Sequence, residues 1–370
     1  MRKGFRVFLA LVAVLCLVIA GCGQEKDAEK KAEAPVKDQM TVGFIYVGPI
    51  GDGGWTFAQD QARLELEKTL GVKTIYKESC PEGPEVKEII RNMIDQGAKI
   101  IFAGSFGYMD YVEEISKEFP DVKFGHCSGY KQTDNMANYF GRMYEPRFLS
   151  GLVAGLKSKT NKIGYVAAFE IPEVIRGINA FTLGVKAVNP EASVNVRWTH
   201  TWYDPAKEKE AAKALLDEDC DIIAQHQDTA GPQQAAEERG VFSIGYNSDM
   251  KDMAPKAYMT APVWNWAPYF IDQVKALQNG TWKTHSFWGG LKDDTVRLAD
   301  LTSNAPEAAA KEVETYTAKI KDGSFHVFSG PLKDQAGNVK VAENTTMSDK
   351  EMLTMDWFVE GVVGKIKSNE

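Results

Sequence analysis

Histidine and cysteine are scarce in this 370-residue chain, at five residues each. The histidines are scattered, with no HExxH and no pair at metal-ligand spacing, so the sequence offers no metal centre. The cysteines show no CxxC spacing, which excludes the usual dithiol and zinc motifs. There is no GxSxG for a nucleophile elbow and no GxxxxGK[ST] for a phosphate loop. Gly51-Asp52-Gly53 would need glycine at position 56 to make a dinucleotide fingerprint, and Thr56 stands there. No catalytic set is therefore assigned, and no cofactor. A run long enough to span a membrane comfortably is also missing, since the apolar stretch Val7–Ala20 falls short of about 20 residues.

That stretch has the build of an export signal. Arg2, Lys3 and Arg6 precede it, and it ends Ile19-Ala20-Gly21-Cys22, which resembles a bacterial lipobox. Residues 1–22 are then a lipoprotein signal peptide, and Cys22 becomes the acylated first residue of an exported chain anchored to the bacterial cell membrane, at its outer face or in the periplasm. Residues 23–39, rich in Lys, Glu, Asp and Ala without apolar periodicity, read as a flexible tether. Loss of the signal leaves 40 basic against 51 acidic residues, a net charge of −11, which argues against nucleic acid as a partner. Of the remaining thiols, Cys80, Cys127 and Cys220, buried free cysteines and a Cys80–Cys127 disulfide are both open.

What the chain does have is a β/α rhythm. Val42–Val47 is a short apolar strand, a glycine loop follows (Gly48 to Gly54), and a helix starts beyond it. Such units place ligands beyond the carboxyl ends of the strands. Further strands are expected at 72–76, 99–103, 122–126 and 138–140, separated by helices at 84–97 and 111–119. The rhythm restarts after an apolar helix at 147–156 and runs through strands at 162–167, 193–198, 221–224, 242–245 and 257–261. Two successive α/β sheets account for this most simply. Further helices are expected at 306–321 and, as a last amphipathic element, at 348–367.

The strand ends share a composition. Trp55, Phe106, Tyr108, Trp202, Tyr203, Tyr246 and Trp264 all follow strands, and so do Ser105, Gly107, Gln225, Gln227, Asp228, Asn247 and Asp249. Aromatic faces stack on a flat heterocycle for about 1–3 kcal/mol each. Amides and carboxylates select its hydrogen-bonding edge, because an unpaired buried polar group is costly. His226, two residues before Asp228, could orient a ligand. His126 and His200 also follow strands.

These residues carry a resemblance to the basic membrane protein family of binding lipoproteins for ABC transporters, which includes purine nucleoside receptors. Gly51–Thr56 sits where family members have Asp-x-Ser-Phe-Asn, and Tyr144–Gly151 is similar to the family's Glu-x-x-Phe-Leu-x-Gly helix start. Gly164–Gly184, Asp221-Ile222-Ile223 with Ala230-Gly231, and Gly245–Asp249 resemble three more family segments in order. The resemblance implies a type I periplasmic-binding-protein fold, with two doubly wound parallel-sheet lobes joined by a multi-stranded hinge and ligand between them. It divides the chain into an N-terminal lobe at 40–141 plus 264–282 and a C-terminal lobe at 142–263 plus 283–370. It implies an ABC permease and its ATPase as partners, and a monomer. It also carries a stacking role onto Trp55, where nucleoside-binding members have Phe. Two departures bear on the ligand: the family's ribose-gripping Asp and Lys match Asn247 and Trp264 here. A purine nucleobase such as adenine is thus expected to lie among Trp55, Ser105, Phe106, Gly107, Tyr108, Trp202, Gln227, Asp228, Asn247, Asp249 and Trp264. A nucleoside, a flavin or a sugar remains open, as do a sensor role and, from a different class, a purine-processing enzyme.

Overall fold

The computed structural model describes residues 39–367. The expectations for the leader at 1–22, for Cys22 and for the tether up to residue 38 lie outside the described residues. The chain opens with β1 (Thr41–Ile45), α1 (Trp55–Leu70), β2 (Lys73–Lys77), α2 (Val86–Asp95), β3 (Ala98–Ala103), α3 (Met109–Glu118), β4 (Lys123–Cys127) and β5 (Met136–Gly141). It continues with α4 (Tyr144–Lys157), β6 (Lys162–Ala167), α5 (Pro172–Val188), β7 (Ser193–Trp198), α6 (Pro205–Asp217), β8 (Ile222–His226), α7 (Gly231–Arg239), β9 (Phe242–Ile244) and β10 (Tyr258–Thr260). Then come β11 (Pro262–Trp264), α8 (Ala267–Gln278), β12 (Ser286–Gly289), β13 (Val296–Leu298), α9 (Ala309–Asp322), β14 (Leu332–Lys333), β15 (Val339–Val341), α10 (Asp349–Leu353) and β16 (Val362–Val363).

Among the described residues these strands build two six-stranded sheets, ordered β12-β5-β4-β3-β1-β2 and β10-β9-β8-β6-β7-β16. Every pairing in both is parallel. Parallel sheets need cover on both faces, so their strands read as continuous apolar runs. β1 and β8 are buried at every residue. In each sheet the strand order reverses next to the first strand, β1 or β6. Ligand crevices of doubly wound sheets form at the carboxyl ends of the strands at such a switch point.

Three segments cross between the sheets. Arg142 and Met143 join β5 to α4; β11 leads from β10 toward α8; and the chain returns after β12 through β13. β11 and β13 pair antiparallel, with Trp264 opposite Val296. Gly141 lies against this ribbon so closely that a Cβ there would come within 2.5 Å of the Trp264 ring and 2.7 Å of Val296. Trp264 and Trp266 stack at 4.5 Å, and Phe140 packs 5.2 Å from Trp264, so the crossings share one aromatic core.

Three expectations need correction. Ser286–Gly289 joins the first sheet alongside β5. The first lobe thus reclaims chain beyond residue 282, held by Phe287 stacked on Tyr269 and by the Trp288 indole N–H donating to the Gly141 carbonyl at 2.9 Å. The expected terminal helix at 348–367 is helical only as α10. The helix ends at Leu353, well before Gly361 at φ +98°, and the β-branched pair Val362–Val363 adds instead to the edge of the second sheet beside β7. The fifth strand runs Met136–Gly141, longer than 138–140. Cys80, Cys127 and Cys220 are free and buried, which resolves the open disulfide question against a bridge.

Candidate functional site

The glycine loop after β1 is shaped by Asp52. Its carboxylate accepts from the backbone N–H groups of Gly54, Thr56 and Phe57 at 2.8–2.9 Å. These are the orphan donors at the start of α1, which the capping position Gly54 has no side chain to satisfy. With the loop fixed, Trp55 opens the helix, and its indole N–H donates to the Gly104 carbonyl at 2.8 Å. That bond sets the ring's orientation. Behind it, Trp264 and Trp266 meet Trp55 edge-on at 5.4 and 5.9 Å. Trp55 is thereby a braced aromatic plate rather than a loose side chain.

Between the lobes lies a space of about 440 Å³, counted out to its mouth. Of that space only about 40 Å³ is free for a water-sized atom, so the cleft is nearly shut. The first lobe lines it with Val47, Trp55, Ser105, Phe106 and Ser128. The second contributes Glu173, Trp202, His226, Asp228, Tyr246 and Asn247. The lobes touch at its edge. Ser248 donates from its hydroxyl to the Gly53 carbonyl. Gly54 approaches the Asp228 backbone so closely that a Cβ at 54 would come within 2.2 Å of the Asp228 carbonyl oxygen. Only glycine permits this approach.

Asp228 is buried, and its carboxylate oxygen accepts from the Asn247 side-chain N–H at 2.9 Å. Burial pushes its pKa well above the ordinary carboxylate range, with the nearby acids Asp52 and Glu208 adding to the rise. Both effects oppose the charged form of this carboxyl. The loop that carries it is supported from below by Glu208, which accepts the Thr229 N–H at 3.2 Å and the Asp204 N–H at 3.0 Å. His226 is held down to about 4, mainly by burial and next by the Arg147 cation, and is therefore neutral at physiological pH.

The sequence-predicted residues divide. Trp55, Ser105, Phe106, Trp202, Asp228 and Asn247 line the space. Phe106 is half-exposed at the mouth, while Trp202 packs edge-on against Phe169 at 5.1 Å. Gly107 instead donates its N–H to Glu82 at 3.0 Å, and Tyr108 is buried with its hydroxyl on the Cys80 carbonyl at 2.7 Å. Gln227 is buried and donates to Thr199 at 2.5 Å, while Asp249 pairs with Lys251 at 3.1 Å; neither lines the space. Trp264 stands behind Trp55 and donates its indole N–H to Asn247 at 2.8 Å. It supports the wall without forming it.

Sequence reasoning passed over Val47, Ser128 and Glu173 as site residues, and weighed Tyr246 and His226 without placing them in the final set. The signal for Glu173 was present. It opens α5 just past the carboxyl end of β6, the same topological position as Trp55 after β1. No group of acids, histidines or cysteines suited to a metal ion occurs among the described residues. No helix among them is long and apolar enough to cross a membrane.

Comparison with known proteins agrees with this geometry. A family model described as "ABC transporter substrate-binding protein PnrA-like" matches residues 39–327. A purine-binding protein of Brucella abortus is 43% identical over 90% of this chain and 95% of its own length. A Haloferax volcanii protein, named for ABC-transporter glucose binding, is 36% identical over 90% of this chain and 82% of its own. Among solved structures, an ABC-transporter solute-binding protein of Conexibacter woesei superposes with a TM-score of 0.67 at 22% identity, covering 78% of this chain and 98% of its own.

Proposed function

The chain belongs to the PnrA-like family of ABC-transporter substrate-binding proteins, and from that premise we propose that its ligand is a purine nucleobase of the adenine type. Members of this family bind solutes for import and do not convert them. They have the type I periplasmic-binding fold and work outside the cytoplasmic membrane with a permease and an ATPase. The observation that carries the choice of ligand is the relay Trp264–Asn247–Asp228. Asn247 spends its carbonyl oxygen on the Trp264 indole and its amide N–H on Asp228. The two positions that would grip a sugar by charge are thus occupied with each other, and an indole fills the space of a flexible cation. What lines the cleft is a set of aromatic residues from both lobes together with the polar groups of Ser105, Ser128, Glu173, His226, Asp228 and Asn247. In this reading Cys22 anchors the mature chain to the membrane by lipid, and the receptor works as a monomer.

The 36% identity to a relative named for glucose makes a hexose the reading to exclude. Isothermal titration of the mature protein with adenine, adenosine, riboflavin and glucose separates the readings, after any carried-over ligand has been removed by denaturation and identified. Adenine is expected to bind most tightly, with adenosine at least about tenfold weaker, which corresponds to about 1.4 kcal/mol. Tighter binding of adenosine or glucose would overturn the proposal.

A further inference from the structure

Beneath the pocket floor sits a cation that the ligand does not reach. Arg147 on α4 is fully buried. Its Nη1 donates to the Gln225 carbonyl at 2.6 Å, and its guanidinium lies 3.7 Å from the centre of the Tyr246 ring. Among the described residues no carboxylate pairs with it, and its Nε and Nη2 have no protein partner. A buried charge without a counter-ion is costly to keep. Its neighbour His226 also has an unpartnered ring atom, Nδ1. Both face the gap left by Gly177 on α5: a Cβ there would stand 3.3 Å from His226 Nδ1 and 3.7 Å from Arg147 Nε. The other ring nitrogen, Nε2, lies 3.5 Å from the Glu173 carboxylate, which lines the pocket.

We propose that Arg147 is a positioning residue for ligand selection: it holds His226 in the tautomer with Nδ1 bare and Nε2 protonated, which fixes Glu173 as the pocket's hydrogen-bond acceptor. A proton on Nδ1 would point at a permanent cation, whereas the Nδ1 lone pair is attracted to it. The Nε2 proton then has one carboxylate to meet. The charged groups facing the imidazole are Arg147 from α4 and Glu173 and Arg176 from α5, and the two arginines oppose a second proton on the ring. The floor therefore presents two carboxyl groups in unlike settings, Asp228 buried and accepting from Asn247 and Glu173 facing the Nε2 proton. A base that offers an N–H toward Glu173 satisfies it; a ligand with acceptors alone on that edge does not. This deepens the nucleobase reading and rests on it for the identity of the ligand.

The test reads the tautomer directly. Two-bond ¹H–¹⁵N correlation spectra of the ligand-free protein are expected to show the Nε2–H pattern for His226 throughout pH 5–8. Arg147→Gln keeps a donor for the Gln225 carbonyl but removes the charge. It is expected to bring up the Nδ1–H pattern in the neutral His226 ring, and Arg147→Lys to restore the wild-type pattern. Should Arg147→Gln fail to fold, Glu173→Gln provides the second measurement. It retains the tautomer and weakens adenine about 10- to 100-fold, the range for a hydrogen bond to a charged group. An Nδ1–H pattern in the wild type, a tautomer unchanged by Arg147→Gln, or full affinity in Glu173→Gln would each overturn the proposal. Because the spectra are recorded without ligand, a wild-type protein that ignored adenine would overturn the nucleobase reading and leave the tautomer result standing.

Discussion

The two lobes face the same slot with different chemistry. The first offers Val47, Trp55, Ser105, Phe106 and Ser128, with no charged or titratable side chain among them. The second offers Glu173, His226 and Asp228 together with Trp202, Tyr246 and Asn247. A plate on one side and a hydrogen-bonding edge on the other divide the labour. The first lobe gives area and low entropy cost, and the second gives discrimination. For the proposed base, closure then matters for both, because neither half alone would hold a ring and read it.

The largest effect expected concerns a feature the lobes share. Each buries a histidine near the carboxyl end of a strand, His126 in β4 and His226 in β8, and burial first holds each at about 4. Both are neutral in the fold, so the unfolded chain takes up a proton first as the pH falls. Their contribution to stability is complete above about pH 6.5 and is lost as the pH drops toward 4, by about 3 kcal/mol per histidine. The buried acid Asp228 works in the opposite direction, since its raised pKa makes acid favourable to the fold. Urea denaturation at pH 7.5 and pH 4.5 isolates the histidines by difference. His126→Gln and His226→Gln should each remove a similar part of the acid loss, while only His226→Gln weakens adenine. Equal loss of binding in both variants would erase the distinction between the lobes.

Trp55→Ala comes next. It should weaken adenine by about 1–3 kcal/mol, the range for an aromatic stacked on a base. The variant is expected to stay folded, because Trp264 and Trp266 still stack on each other without it. Unchanged affinity by titration calorimetry would remove the plate from the account.

The difference between the lobes also explains what the sequence could and could not reveal. The β/α alternation was legible, because buried parallel strands and amphipathic helices write their periods into the chain. Trp55 was legible for a local reason, being a large aromatic between a glycine loop and a helix. Glu173 was harder, since a lone acid in the first turn of a helix reads as an ordinary helix-start residue, and its place in the cleft depends on how the two lobes meet. Trp264 was placed at the ligand because it follows a strand; that strand belongs to the hinge ribbon, so the indole turns to brace Trp55 and Asn247. Tyr108 and Gln227 failed similarly, because each found a partner in its own lobe, the Cys80 carbonyl and Thr199. The terminal strand Val362–Val363 was hidden because apolar residues at helix-like spacing run up to it from Met352, and its partner β7 lies far back in the chain.

Gly54→Ala probes closure itself. The added methyl meets the Asp228 backbone only when the lobes are together. Overpacking of this kind costs about 1–3 kcal/mol. That cost should appear mostly as weaker ligand binding, with the denaturation midpoint of the ligand-free protein lowered less than the affinity. A variant with normal affinity would mean that the glycine loop and Asp228 stay apart when ligand is bound.

The smallest effect expected is at Ser248, whose hydroxyl donates across the cleft to the Gly53 carbonyl. Unlike the braces behind Trp55, this bond joins the lobes and should exist only while they are closed. Removing it in Ser248→Ala should cost about 0.5–1.5 kcal/mol, the net value of one hydrogen bond. A contact present only in the closed complex slows release without affecting the encounter, so stopped-flow measurement should find the loss in koff with kon unchanged. If kon fell instead, the bond would already be forming as ligand arrives at the second lobe, and closure would precede rather than follow capture. The first lobe would then act as a lid that samples the closed position on its own, and the division between plate and edge would be one of timing as well as chemistry.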